Sequence, residues 1–245
     1  MKIALIGYGR MGHIIEEVAR ERGHNIACTI DVGEEGKFAS PEFASADVAI
    51  EFSIPTAAVG NIAASLAAGV PVVCGTTGWH DRLDEVKGLV AQHGKAAMYA
   101  TNFSVGVNLF WAVNRYMTRL MSRFAQYRPQ VTETHHIHKL DHPSGTAITT
   151  AEQMIAADGR LTRWEESEIP LAEDGLNVRY RRDGEVPGIH TVSWRSGEDT
   201  LELTHTAHSR RGFALGAVLS AEWLAGRPAA LYAISDMFNE IIPEQ

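Results

Sequence analysis

Short apolar runs alternate with helix-like segments over the first hundred residues. Strand-like runs lie at residues 2–6, 25–30, 47–52, 70–74 and 96–100. Helical periodicity follows three of them, at about residues 13–22, 55–69 and 80–93. Strands that alternate with helices are typical of βαβ units, which build a parallel sheet. The connection at 32–46 is an exception, because it is short and lacks a convincing helical pattern.

The pattern changes after residue 104. A long amphipathic helix is predicted at about 105–124, and we expect its apolar stripe to face the core; the stripe is Leu109, Val113, Met117, Leu120 and Phe124. Strands are predicted at 130–137, 177–182, 188–195 and 199–207, with a helix at 146–157. An apolar helix returns near 210–225, and we expect the apolar tail at 229–242 to pack on the first domain.

These patterns predict an α/β protein of two domains. The first is a Rossmann-like parallel sheet formed by residues 1–104 and completed by the C-terminal segment 209–245. The second, at 105–208, is an α+β domain with an open mixed sheet.

Composition excludes several classes of partner and compartment. The net charge is −8 and no Lys/Arg-rich block is present, so we expect no nucleic-acid partner. No apolar run approaches membrane-spanning length, and the chain starts with a strand rather than a signal-peptide pattern. Cys28 and Cys74 lie in apolar runs and are interpreted as buried free thiols of a reducing compartment. We therefore expect a cytoplasmic protein with no membrane partner.

A glycine-rich turn joins the first predicted strand to the first helix. It consists of Gly7, Tyr8, Gly9, Arg10, Met11 and Gly12. Its spacing is that of a dinucleotide-binding fingerprint, in which the first glycine makes the turn and the second lets a pyrophosphate approach the helix N-terminus. Asp31 ends the second strand, where a carboxylate accepts hydrogen bonds from a ribose 2′-hydroxyl. The alternatives are a turn that serves only packing and a solvated acid.

Two further loops follow predicted strands. We expect both to line the nicotinamide half of the cofactor site, because ligands bind outside the carboxyl ends of parallel strands. Their residues are Gly75, Thr76, Thr77, Ala100, Thr101, Asn102 and Phe103. The Asp31 carboxylate should repel a 2′-phosphate, so NADH is the predicted cofactor. NADPH remains a possible cofactor if Lys37 or Arg10 neutralises the phosphate.

The stretch from Glu133 to Thr146 concentrates titratable groups just before a helix. If 133–139 continues as a strand, Glu133, His135, Ile137 and Lys139 share one face. His135 and Lys139 could then reach one ligand as proton-transfer groups. The alternative is a metal site, for which the ligands would be His135, His136, His138 and Asp141. We expect no metal, because adjacent strand residues point to opposite faces and no second ligand cluster exists; His138 and His142 are expected to be solvated.

Ser144, Gly145 and Thr146 open the predicted helix at 146–157. Ser144 fits the N-cap position, and the free N–H groups of this turn could equally bind a substrate carboxylate.

These motifs resemble the dihydrodipicolinate reductase family, the nicotinamide-dependent reductases of bacterial lysine and diaminopimelate biosynthesis. The resemblance rests on residues 9–12, 75–78, 102–108, 135–147 and 213–217. It implies reduction of 4-hydroxy-tetrahydrodipicolinate to tetrahydrodipicolinate, with the cofactor bound by residues 7–12, Asp31, 75–77 and 100–103. It also implies a homotetramer assembled through the sheet of the substrate domain.

The resemblance assigns roles within the histidine-rich stretch. His135 would be the proton donor/acceptor and Lys139 the second proton donor, while His136, Gly145 and Thr146 would bind the substrate dicarboxylate. The chain departs from the family at His142, where a small residue is usual, and in the short connection at 32–46. The alternatives are another two-domain Rossmann dehydrogenase, acting on an amino acid or a sugar, and a nicotinamide-sensing regulator without catalysis.

Overall fold

A computed structural model describes residues 1–242, which divide into two compact units. The first unit comprises Met1–Val105 and the C-terminal segment from Arg210, and the second comprises Gly106–Ser209. The sequence predicts these boundaries at residues 104 and 208. None of the helices in the described part of the chain has the length and apolar character needed to cross a membrane.

The described residues form eleven strands and eight α-helices. The strands are β1 (Lys2–Ile6), β2 (Asn25–Ile30), β3 (Val48–Glu51), β4 (Val72–Cys74), β5 (Ala97–Tyr99), β6 (Arg128–His135), β7 (Arg163–Glu166), β8 (Gly175–Arg182), β9 (Ile189–Arg195), β10 (Thr200–Thr206) and β11 (Leu231–Ala233). The helices are α1 (Arg10–Glu21), α2 (Pro41–Ala44), α3 (Pro55–Ala67), α4 (Leu83–His93), α5 (Val105–Met121), α6 (Gly145–Ala157), α7 (Arg211–Leu224) and α8 (Ile234–Ile241).

The first unit contains a six-stranded parallel sheet, as the alternating pattern predicts. Its strand order is β11-β5-β4-β3-β1-β2, so the order reverses between β1 and β3. One apolar core contains residues of α1, α7 and α8, and a second contains residues of α3 and α4. This is the doubly wound arrangement in which ligands bind at the carboxyl ends of the strands beside the reversal.

The expected packing of the tail on the first domain is confirmed, and the tail also completes the sheet. Leu231 pairs with Ala97 in parallel register, which adds β11 beside β5. The sequence does not predict this strand, because three residues are too few for a visible alternation. Residues 32–46 also differ from the prediction: they hold a 3-10 turn at Glu35–Ala39 and the short α2, whose Phe43 N–H bonds to Ser40 Oγ at 3.1 Å.

The second unit contains a five-stranded mixed sheet, which confirms the predicted α+β layer. The strand order is β10-β9-β6-β8-β7, with β6 parallel to β8 and antiparallel to β9. Residues of α5 and α6 pack with those of β6, β8 and β9 in one apolar core. The sequence analysis does not predict β7, whose Arg-Trp-Glu-Glu sequence has little apolar character.

The predicted core face of α5 is wrong. Leu109, Val113 and Leu120 are 42–50% exposed, while the neighbouring face is buried. That buried face includes the polar Asn108, Asn114 and Thr118 besides its apolar members, which are Val107, Phe110, Trp111, Met117 and Met121. Because polar residues interrupt the buried face, the apolar stripe in the sequence identifies the wrong side.

The predicted continuation of β6 to Lys139 is also wrong. The strand ends at His135, and a turn follows in which Lys139 N–H bonds to the carbonyl of His136 at 3.1 Å. Glu133 and His135 share the buried face as expected, but Ile137 is exposed. Lys139 is therefore placed by the turn and not by strand alternation.

Candidate functional site

The glycine turn of the first unit follows β1, at the carboxyl end of the sheet and beside the point where the strand order reverses. Gly7 has a φ of +84°, and a Cβ there would overlap the carbonyl oxygen of Phe52, so only glycine fits. At Gly9, which precedes the first residue of α1, the space a Cβ would occupy is open. The turn thus brings free helix N–H groups to an open surface, which is the arrangement that binds a pyrophosphate.

The remaining residues of the turn differ in their surroundings. Arg10 is exposed, while Tyr8 and Met11 are half-buried and pack against the apolar core. The Tyr8 hydroxyl donates to Glu16, and this hydrogen bond raises the pKa of Tyr8 and lowers that of Glu16. Tyr8 is therefore fixed over α1, and Arg10 is the cation of this turn that faces solvent.

Asp31 is exposed at the end of β2, beside a second carboxylate. Its backbone N–H donates to Glu34 Oε2 at 3.1 Å. Lys37, which could neutralise a phosphate here, is already engaged: its Nζ lies 2.7 Å from Glu34 Oε1 and donates to the carbonyl of Thr29 at 3.1 Å. The surface that follows β2 thus presents acids together with one paired lysine.

A buried carboxylate, that of Glu51, forms hydrogen bonds with residues next to the loop at 75–78. Glu51 is fully buried and accepts hydrogen bonds from the Ser53 hydroxyl, from Asn61 Nδ2 at 3.2 Å and from the Cys74 thiol at 2.9 Å. Within residues 1–242 no lysine, arginine or histidine lies within 4.0 Å of it to form an ion pair. Burial, followed by the charge of Glu51, raises the pKa of Cys74 well above its usual range. The thiol therefore stays protonated and acts as a donor.

This network extends to Thr76, whose side chain is buried. Its hydroxyl oxygen accepts the Ser53 N–H at 2.8 Å, and its carbonyl accepts the Trp79 indole N–H at 2.7 Å. Gly75 lies against the ring of Phe52, while Thr77 is exposed. The loop therefore offers Thr77 and its backbone to a ligand, and Thr76 holds the loop in place.

The second predicted cofactor loop is mostly built into the core. Ala100 and Phe103 are buried in the apolar core of the first unit, and Asn102 Oδ1 accepts the Ser104 N–H at 2.8 Å. Thr101 is exposed. Ala100 and Phe103 can therefore contact a cofactor mainly through their backbone.

In the second unit, three titratable side chains meet on the buried face of the sheet. The β6–β9 ladder pairs Glu133 with His190, and His135 follows Glu133 on the same face of β6. His135 Nδ1 lies 3.0 Å from Glu133 Oε2, and His190 Nε2 lies 3.8 Å from the same oxygen. All three are buried, and Glu133 is fully so.

The charges in this cluster follow from its hydrogen bonds and its burial. Burial alone would raise the pKa of Glu133, but the adjacent His135 and the hydrogen bond from Ser144 outweigh it and lower this pKa to about 2. For His190, burial and then the neighbouring positive charge of His135 lower the pKa to about 3. Near neutral pH, Glu133 is therefore an anion and His190 is neutral.

Lys139 is held in the turn by an acid. Its Nζ donates to both carboxylate oxygens of Asp141 at 2.8 Å, and this hydrogen bond lowers the pKa of Asp141. Arg182, at the end of β8, donates to the carbonyl oxygens of Lys139 at 3.2 Å and Asp141 at 2.7 Å. The positive charge of Lys139 also contributes to the lowered pKa of His190, after burial and the neighbouring His135.

Ser144 caps α6 and also joins it to the cluster. Its hydroxyl accepts the Ala147 N–H at 3.2 Å and lies 3.3 Å from His190 Nε2, while its own N–H donates to Glu133 Oε1 at 3.0 Å. The predicted N-cap is confirmed. Gly145 is exposed and Thr146 is half-buried in the first turn of the helix. The start of this helix thus lies beside the cluster and can bind a carboxylate there.

The other histidines of the stretch have separate surroundings. His136, which the sequence analysis also predicts to bind the substrate, is half-buried. Its Nδ1 is buried and has no hydrogen-bond partner in the described part of the chain. His138 is exposed and lies 3.0 Å from Glu185. His142 stacks on Tyr180 with ring centroids 4.3 Å apart, and its Nδ1 lies 2.8 Å from Glu166. The last two thus have surface partners outside the buried cluster.

The structure brings together a different set of possible metal ligands from the one that the sequence suggests. Glu133, His135 and His190 are the described residues whose donor atoms converge as metal ligands would, within 4.8 Å of one another. However, Glu133 Oε1 already accepts the Ser144 N–H and lies 3.5 Å from Arg182 Nη1. A cation and a donor at this carboxylate favour a hydrogen-bonded cluster over metal ligation.

Sequence reasoning misses three members of this site. His190 and Arg182 lie about fifty residues beyond His135 and reach it only through strand pairing. Gly188 is the third: a Cβ there would lie 3.1 Å from His135 Nε2. No local pattern signals these residues, because a contact across a ladder depends on register. The arrangement can transfer protons beside a carboxylate-binding helix start.

Family comparisons add independent evidence. Two family models match the chain. The family model described as dihydrodipicolinate reductase, N-terminus, matches residues 1–103, and the family model described as dihydrodipicolinate reductase, C-terminus, matches residues 106–238. The 4-hydroxy-tetrahydrodipicolinate reductase of Christiangramia forsetii is 41% identical over 241 residues, which are 98% of this chain and 99% of the relative. That of Natronomonas pharaonis is 37% identical and covers 96% of this chain and 99% of its own.

Solved structures agree at the level of the fold. A dipicolinate-bound dihydrodipicolinate reductase from Paenisporosarcina sp. TG-14 has a TM-score of 0.77 at 18% identity, covering 97% of this chain and 99% of its own. A probable dehydrogenase from Thermotoga maritima has a TM-score of 0.55 at 9% identity, covering 96% and 92%. The family models and the curated relatives extend over nearly the whole chain, and they do not favour the alternatives of another dehydrogenase or a regulator. The chain therefore belongs to the dihydrodipicolinate reductase family of oxidoreductases, which act in lysine and diaminopimelate biosynthesis.

Proposed function

We propose that this chain uses NADH to reduce 4-hydroxy-tetrahydrodipicolinate to tetrahydrodipicolinate, with His135 and Lys139 as the proton-transfer groups. The observation that carries this assignment is the buried pairing of His135 with the anionic Glu133 next to the start of α6. A reductase needs a proton donor beside the place where its anionic substrate binds, and this cluster supplies both.

The substrate is a dicarboxylate, and the second unit offers groups suited to its two charges. The first turn of α6 at Gly145 and Thr146, the His136 imidazole and the Lys139 ammonium would bind the carboxylates. The Ser144 N–H is already used by Glu133, so Ser144 would act through the position it gives to the helix start. In the first unit, residues 7–12, Asp31, 75–77 and 100–103 would hold the dinucleotide. When bound, the cofactor supplies the hydride.

The preference for NADH is supported by the acids after β2. Asp31 and Glu34 lie together there, and Lys37 is paired with Glu34. A 2′-phosphate would meet two carboxylates, whereas a 2′-hydroxyl could donate to one of them. We also propose a cytoplasmic location and a homotetramer that assembles through the sheet of the second unit. Family membership supports the coarser statement that the protein forms an oligomer.

The test is a coupled assay with purified dihydrodipicolinate synthase product and NADH. His135→Ala and Lys139→Ala should each lower turnover by roughly two to four orders of magnitude, the usual scale for general acid–base groups. NADH affinity, measured by fluorescence titration, should remain unchanged, because neither residue belongs to the first unit. The matched control is His138→Ala, an exposed histidine of the same stretch, which should keep wild-type turnover. Near-normal turnover of His135→Ala or Lys139→Ala would contradict the assigned roles.

A further inference from the structure

The two carboxylate oxygens of Glu133 have different neighbours. Oε1 accepts the Ser144 N–H at 3.0 Å and lies 3.5 Å from Arg182 Nη1, which fixes the carboxylate in place. Oε2 lies 3.0 Å from His135 Nδ1, and neither of these atoms has an aligned hydrogen bond within residues 1–242. Oε2 therefore faces His135 Nδ1 at 3.0 Å, with His190 Nε2 farther away at 3.8 Å.

The two nitrogens of His135 have opposite surroundings. Nδ1 is buried against Glu133. Nε2 lies beside Gly188, where a Cβ would come within 3.1 Å of it and within 3.3 Å of the adjoining ring carbon. Because residue 188 has no side chain, no Cβ crowds Nε2 from this direction. The ring thus has a carboxylate against Nδ1 and a glycine beside Nε2.

We propose that Glu133 is the positioning residue for His135: its carboxylate holds Nδ1, orients the ring and leaves Nε2 as the nitrogen that exchanges the proton. This inference rests on the proposed function, since it assigns His135 a proton-transfer role. Glu133 is fully buried, so it would act through His135. An anionic partner on the far nitrogen stabilises the imidazolium form, as in other carboxylate–histidine pairs.

The other charged or titratable groups around His135 cannot replace this charge. His190 faces it from β9 with ring centroids 5.1 Å apart and is neutral. Arg182 is its ladder partner on β8, and Lys139 follows in the turn; both are cations. Among these described groups Glu133 is the anion, so its removal leaves His135 beside a neutral imidazole and two cations.

The test compares Glu133→Gln with Glu133→Asp. Glutamine keeps the carbonyl that accepts the Ser144 N–H but removes the charge, so kcat should fall about 100-fold while KM changes little. The pH profile of kcat should also change, because the charge beside the proposed proton-transfer group is lost. Aspartate keeps the charge and should restore part of kcat and of the pH profile.

Asp158→Asn is the matched control. Asp158 is also fully buried in the second unit, and it accepts the Arg160 N–H at 2.9 Å and pairs with the Arg160 guanidinium. The substitution removes a charge that is equally buried but lies away from His135. We expect its kcat and pH profile to match the wild type even where its thermal midpoint is lower.

A second measurement is independent of turnover. In the ligand-free enzyme, ¹⁵N NMR of labelled histidines should show the His135 proton on Nδ1, which faces Glu133, in the wild type and a changed distribution between the two ring nitrogens in Glu133→Gln. A Glu133→Gln enzyme with wild-type kcat and pH profile, or with unchanged His135 ¹⁵N signals, would overturn the proposal. If the wild type itself has no NADH-dependent turnover, the proposed function fails, and the NMR measurement still decides whether Glu133 controls His135.

Discussion

The buried neutral state of His190 makes the second unit sensitive to acid. The pKa of this imidazole falls from the ordinary 6.5 to about 3 in the folded chain, first through burial and then through the nearby His135 charge. Between these two pH values the unfolded chain binds a proton that the folded chain does not. Stability is therefore fully present above pH 6.5 and is lost as the pH falls towards 3.

The size of the effect follows from the shift in pKa. Each pKa unit corresponds to about 1.4 kcal/mol, so His190 should remove roughly 3 kcal/mol from the free energy of unfolding between pH 7 and pH 4. Glu133 acts in the same direction at lower pH. Its pKa is lowered from 4.5 to about 2, so its contribution is present above pH 4.5 and is lost below it. A loss of this size is a large part of a typical domain's stability.

The assay is urea unfolding of wild type and His190→Gln at pH values from 7.5 to about 4, at one protein concentration because oligomers respond to mass action. The variant lacks the group that titrates, so its free energy of unfolding should fall less steeply with decreasing pH. His138→Gln is the control, because His138 is exposed and its loss should leave the wild-type slope. Equal slopes for wild type and His190→Gln would refute the argument that burial keeps this imidazole neutral.

Two further predictions concern the first unit. Asp31→Ser combined with Val32→Arg should shift the ratio of kcat/KM for NADH and NADPH towards NADPH by about ten- to a hundredfold, because a carboxylate and a phosphate at short range cost on the order of 1–3 kcal/mol; an unchanged ratio would mean that Asp31 does not control the choice. Gly7→Ala should lower the thermal midpoint and NADH affinity more than Gly33→Ala, since both glycines have a φ near +83° but only a Cβ at Gly7 overlaps another atom. Equal losses in the two alanine variants would contradict this steric argument.

The first unit could be predicted well because its signals are local. Each parallel strand is a short apolar run, and several helix ends carry a glycine or proline, as at Pro55, which begins α3, and at Gly94, the C-cap of α4. The helix after the glycine turn starts three residues earlier than predicted, at Arg10, because its polar first turn lacks apolar periodicity. The parts not predicted are α2 and β11, which are four and three residues long, and α8, which the sequence shows only as part of an apolar tail. Periodicity has no meaning over the few residues of α2 and β11.

The second unit could be predicted less well because its geometry depends on distant parts of the chain. Of the predicted apolar stripe only Met117 is buried, and the polar Asn114 and Thr118 are buried on the face that packs on the sheet. Glu133 and His135 could be placed on one face by alternation, since they lie within β6. The contact of Glu133 with His190 follows from strand pairing, which no local pattern specifies. Hence the catalytic candidates were predictable and their partners were not.

The thiol of Cys74 beneath the loop at 75–78 also gives the protein an internal reporter of motion. The side chain is buried, its pKa is raised, and it donates to a carboxylate, so a thiol reagent cannot attack it in the closed state. Labelling of Cys74 would require the carboxyl ends of β3 and β4 to open. The rate of labelling, followed by mass spectrometry, would therefore measure how often this edge of the sheet opens in the native protein, and ligands that bind over the loop would slow it.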